Sequence, residues 1–248
     1  MPHMSIDQFI AMSASIGACL SAIAAFLAVK QNTKQREASY RPELAITRTI
    51  FTASKNPLTK SSFADFWVEG QEEKESGDVN LLSSLSLPLR NIGLGAAKEV
   101  SLNWSFPIEA LVSDINKKTQ KSLIPAYFEY KNEVLSLKSD QLVAAISMWG
   151  NQKKETVDYV LPASTDQGGV NIHVPNAYME LVSALIYFST KEEDRYSFPD
   201  MPVLKLDLEY FDIGGDKHKS SFKVELNLIA IHGYGEGFHG YMQSKKIA

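Results

Sequence analysis

His232, Glu236 and His239, close to the carboxyl end, are the residues whose types and spacing come nearest to chemistry. Imidazole nitrogens and a carboxylate hold zinc-like cations when they converge on one point. At this spacing they converge on a helix or in a wrapped loop, and Gly233, Gly235, Gly237 and Gly240 disfavour the helix. The stretch therefore predicts no dedicated metal site. Gly235-Glu236-Gly237-Phe238-His239-Gly240 also spells G-x-G-x-x-G, the dinucleotide fingerprint. That reading needs a helix opening at the third glycine inside a βαβ unit, and the chain ends at Ala248, so residues 235–248 are expected to be a flexible Gly/aromatic tail.

The other histidines add nothing catalytic. His173 alternates with Ile172 and Val174 and is expected on the surface of a strand, and His218 is expected in a hairpin loop. No G-x-S-x-G elbow or other nucleophile signature is present. The expectation is a protein with no catalytic residues, no cofactor and no metal, hence not an enzyme. Aromatic clusters are the remaining lead: Tyr127, Phe128 and Tyr130 beside Pro125, and Tyr234, Phe238 and Tyr241 near the end. Such side chains make protein-contact surfaces or cover a sheet edge.

The elements that would position these groups begin with an anchor. Phe9 to Val29 is a run of 21 residues without a charged side chain, and at about 1.5 Å per residue it spans a hydrocarbon layer of about 30 Å. Residues 1–8 carry no Lys or Arg, which disfavours a cleaved signal peptide, whereas Lys30, Lys34 and Arg36 follow the run. The positive-inside rule then puts residues 1–8 outside and the bulk of the chain in the cytoplasm, at a bacterial inner membrane. Cys19, the lone cysteine, lies within the run, so the remainder has no thiol for a disulfide, in keeping with a reducing compartment. Ser13, Gly17, Ser21 and Ala25 recur every fourth residue and form a small-residue face suited to helix packing and homo-oligomer formation. Residues 30–42 are expected to continue the helix as a juxtamembrane linker that Pro42 ends.

Residues 43–234 are expected to form one domain. Val203 to Phe211 alternates Leu204, Leu206, Leu208 and Tyr210 with Lys205, Asp207 and Glu209, and Phe222 to Leu228 repeats the pattern beyond Gly214-Gly215-Asp216, which predicts a hairpin. Further strands are expected over 43–51, 63–68, 84–90, 99–106, 156–161 and 170–174. Helices are expected after Pro107, burying Ile108, Leu111, Val112 and Ile115; from Asp140 to Trp149; and from Ala177 to Ser189. The fold class is thus mainly β: an antiparallel immunoglobulin-like sandwich with inserted helices, preceded by one transmembrane helix. Residues 69–78 and 191–195 are charge-dense and expected to be solvated loops. The formal net charge of −4 offers no general grip on nucleic acid.

Leu89-Arg90-Asn91-Ile92-Gly93-Leu94-Gly95-Ala96-Ala97-Lys98-Glu99-Val100 places an Asn-x-Gly-x-Gly-x-Ala turn between two strands. With Tyr40-Arg41-Pro42-Glu43-Leu44 and Tyr210-Phe211-Asp212-Ile213-Gly214-Gly215 it resembles bacterial single-pass membrane proteins whose cytoplasmic domain is an immunoglobulin-like β-sandwich. The resemblance implies a fold and an anchor and transfers no functional residue. From the residues themselves, Gly93 and Gly95 are expected to take positive φ in a tight connection. The functional expectation is a membrane-anchored cytoplasmic module that binds a protein partner or senses a ligand. The alternative is a membrane effector in which ligand- or partner-triggered oligomerisation of the anchor perturbs the bilayer.

Overall fold

The computed structural model describes residues 5–56, 63–70, 85–121, 126–139, 143–191, 198–233 and 235–247. The chain divides into two units, residues 1–41 and 42–248. In the first, α1 (Ile6–Ser39) is one uninterrupted helix of 34 residues. Ser5 and Gln8 close it with a reciprocal capping box, and Asp7 lies in the first turn where the helix dipole favours an acid. The helix is long and apolar enough to cross a membrane, and its apolar window is entirely exposed.

The second unit is mainly β. Strands make up 43% of the described residues against 32% helix, the latter including α1. Its elements are β1 (Leu44–Ile46), β2 (Thr49–Ser54), β3 (Phe66–Glu69), β4 (Ser86–Asn91), β5 (Ala97–Ser105), α2 (Ile108–Gln120), β6 (Ala126–Lys131), β7 (Val134–Ser139), β8 (Val143–Met148), α3 (Trp149–Gln152), β9 (Lys154–Val160), β10 (Val170–His173), α4 (Asn176–Lys191), β11 (Leu204–Phe211), β12 (Lys217–His232) and β13 (Gly237–Lys246). They form a seven-stranded sheet, β3-β2-β13-β12-β11-β5-β9, and two three-stranded sheets, β1-β4-β10 and β6-β7-β8. Neighbouring strands pair antiparallel throughout.

The β11–β12 hairpin follows the predicted alternation. Leu204, Leu206, Leu208 and Tyr210 are buried while Lys205 and Asp207 are exposed, and burying each leucine contributes about 2 kcal/mol. At the turn, Asp216 donates its N–H to Asp212 Oδ1 at 2.9 Å, and Gly215 takes φ +92°. Inward side chains of the large sheet and of β1-β4-β10 join a single core with α4. This helix is mostly apolar and buries eleven of its sixteen residues, among them Leu181, Val182, Leu185 and Phe188. Trp67 ties it to β3, its indole N–H donating to Ser183 Oγ at 2.9 Å, while its ring stacks on Phe51 at 4.7 Å and meets Phe238 edge-on at 5.2 Å.

Three expectations need correction. Residues 237–246 are β13, paired on both sides by β12 and β2, and the Gly/aromatic tail is therefore not free. The expected helix from Asp140 to Trp149 is strand β8 over 143–148, because pairing with β7 overrides the local preference; residues 140–142 lie outside the described residues. Neither Gly93 nor Gly95 has a positive φ. Their turn is instead organised by Asn91, whose Oδ1 accepts the N–H of Gly93 and whose Nδ2 donates to the Gly95 carbonyl. The charge-dense stretches 69–78 and 191–195 fall mostly outside the described residues.

Candidate functional site

The glycines around His232 and His239 serve packing. Gly235 takes φ +88°, and a Cβ there would come within 2.8 Å of the Tyr187 Cα on α4. A Cβ on Gly240 would run into the carbonyl oxygen of Asn227, beside the β-bulge between Leu228 and Ala230. These contacts let the β12–β13 hairpin fold tightly, and they bring the two histidines together in a way that neither helix nor wrapped loop was needed for. His232 Nε2 lies 3.1 Å from His239 Nδ1 with the rings stacked at 5.2 Å. Glu236 turns away to a 2.9 Å ion pair with Lys55, which holds its carboxyl below the usual range. Among the described residues, no three His, Cys, Asp or Glu side chains gather as a metal site.

Asp212 and His218 form the other close pair, 2.9 Å apart, and serve the β11–β12 turn. Burial works against the charged carboxylate, but the His218 contact and the N–H groups of Asp216 and Gly215 outweigh it and lower the Asp212 pKa. The His218 ring stacks on Tyr210 at 5.5 Å.

The aromatic candidates separate into core and surface. Phe128 is buried, and Asn116 of α2 grips its backbone twice, accepting its N–H and donating to its carbonyl, each at 2.8 Å. Phe238 is completely buried between Phe51 and Trp67. Neither ring is available to a partner, because each points into the core from its strand. Tyr130 is partly buried, and burial, with Glu133 and Glu109 nearby, raises its pKa. Tyr127, on the opposite face of β6 from Phe128, is exposed, and Tyr234 lies outside the described residues. Of the anchor residues, Ser13, Gly17, Ser21 and Ala25 are all exposed on α1, as are Lys30, Lys34 and Arg36 towards its end; Ser13 Oγ donates back to the Ile10 carbonyl.

A different surface has the shape of a binding site. β11 begins at Leu204 opposite Val224, so from Glu225 to His232 β12 is paired only with β13 among the described residues. The chain before β11, Phe198-Pro199-Asp200-Met201-Pro202-Val203, stands away from this half of β12 and leaves a groove of about 520 Å³. Pro202 is fixed there by a 2.7 Å bond from the Tyr178 hydroxyl. The floor holds Glu225, Asn227 and Tyr241, and the Arg48 guanidinium covers the Tyr241 ring at 3.6 Å. An open strand edge beside an aromatic-lined groove can take up an extended peptide through backbone hydrogen bonds. Sequence reading missed it because the uneven lengths of β11 and β12 follow from pairing; the two prolines in 199–202 were the available sign that β11 starts late. Comparison of the chain with protein-family models, curated proteins and solved structures gives no match.

Proposed function

We propose that this protein is a membrane-anchored interaction module and not an enzyme: α1 holds it in the bacterial inner membrane, and a cytoplasmic immunoglobulin-like sandwich binds a protein partner. The basic residues Lys30, Lys34 and Arg36 after the apolar run support this orientation. The observation that carries the binding reading is the edge of β12 from Glu225 onward, opposite β13, which has no strand partner among the described residues and lies beside the 520 Å³ groove. Its partner is a protein segment in extended conformation, added as a further strand next to Glu225–Ile231.

A photo-crosslinking residue at Asn227 in the full-length protein tests this. A single cellular partner should crosslink from Asn227 and not from Asp158 on β9, and Phe198→Ala should weaken the product several-fold. Equal crosslinking from the two positions, or none from Asn227, would overturn the reading.

A further inference from the structure

Among the described residues of the β domain, eleven large hydrophobic side chains are exposed, and five of them collect at one end. Ile92 and Leu94 lie in the β4–β5 loop, Tyr159 and Leu161 at the end of β9, and Ile213 in the β11–β12 turn, all between 41 and 64% exposed. The strand registers bring these segments together: Lys98 pairs with both Tyr159 and Phe211, and Asn91 bridges to Pro162. They are held rather than loose. Asn91 accepts the N–H groups of Glu43 and Gly93 and donates to the carbonyls of Gly95 and Val160.

This is also the end at which the chain comes in. Ile92 donates its N–H to the Glu43 carbonyl at 2.8 Å, and Leu44 pairs with Asn91. Only Tyr40 and Arg41 separate the last helical residue, Ser39, from Pro42. The domain is therefore tethered by the very end that carries the aliphatic tips.

The geometry points to a membrane-contact surface: Ile92, Leu94, Leu161, Ile213 and Tyr159 rest in the interfacial layer of the bilayer that holds α1, an inference that depends on the anchor reading above. These side chains come from three separate segments, the β4–β5 loop, the end of β9 and the β11–β12 turn; aliphatic groups presented in this way fit the headgroup and acyl boundary, and tyrosine suits that depth. The charges on the same segments are mixed, with Arg90, Lys98 and Lys217 against Glu43, Glu99, Asp158 and Asp216. Apolar insertion and tethering, not attraction to anionic lipid, supply the contact, so zwitterionic vesicles are a sufficient probe.

The test uses the full chain with Cys19→Ser, which removes its lone cysteine, reconstituted in phosphatidylcholine vesicles. Cysteines placed singly at Ile92, Leu94 and Ile213 carry an environment-sensitive fluorophore, and Ile229, near the far end of β12, is the control. The three tip labels should shift to the blue and lose emission to lipid-borne spin labels, while the Ile229 label should do neither. If the chain resists alkaline extraction but the tip labels report water, the anchor stands and this inference falls. Release of the chain by alkali would overturn both. Tip labels shielded from water yet untouched by lipid quenchers, with shielding that grows with protein density, would assign the patch to a second copy of the chain instead.

Discussion

Glu180 is a carboxylate on an otherwise apolar helix, largely buried on α4, and its pKa is pushed up to about 7 by burial and, secondarily, by Asp65. A raised folded-state pKa gives a contribution to stability that is complete below the ordinary carboxyl value of 4.5 and is lost as pH rises from there through about 7. Glu180→Gln should therefore leave the melting temperature at pH 4 nearly unchanged and raise it at pH 8, where the gain approaches about 3 kcal/mol at most. Equal effects at the two pH values, followed by thermal unfolding in detergent, would show that charge burial is not the cause. Residue types alone could not single out Glu180. Its neighbours Leu181 and Val182 were legible as core from their spacing, but the burial of position 180 depends on what packs over the helix. His232 and His239 show the same limit, since their 3.1 Å approach exists only through the pairing of β12 with β13.

Strong period-two alternation was legible as structure, and β11 and β12 emerged where Leu204 to Tyr210 and Phe222 to Leu228 placed them. So did α2 and α4, whose apolar spacing leaves little alternative. The strands that escaped reading are those whose identity comes from neighbours. β8 spells Val-Ala-Ala-Ile-Ser-Met, weak in β preference and framed by Ser139 and Gly150 as if it were a helix. β13 carries Gly237 and Gly240, which read locally as flexibility. Gly240 is instead the residue that lets β13 pass the Asn227 carbonyl at the bulge. Gly240→Ala should destabilise the domain by on the order of 2 kcal/mol or more, because the obstacle is backbone and cannot turn aside. Gly214→Ala, in the exposed β11–β12 turn, is the comparison and should cost less. Equal chemical-denaturation midpoints for the two variants would refute this role for Gly240.

At the scale of the whole chain, the division between residues 1–41 and 42–248 carries the last expectation. The second unit has its own core, built from three sheets and α4 without any residue of α1, and Pro42 interrupts helix formation where the two meet. A fragment of residues 42–248 should then be soluble without detergent, show a β-dominated circular dichroism spectrum with a minor helical part, and melt cooperatively. The full chain should partition into membranes and need detergent to leave them, because α1 exposes its apolar surface all round. The proposed orientation carries its own test: a reporter active only in the periplasm, fused after Ala248, should stay silent, whereas one fused ahead of Met1 should be active. A fragment that remains unfolded would show that the β domain draws stability from the anchor. An active reporter after Ala248 would reverse the proposed orientation, and the partner proposed for the edge of β12 would then have to be sought in the periplasm.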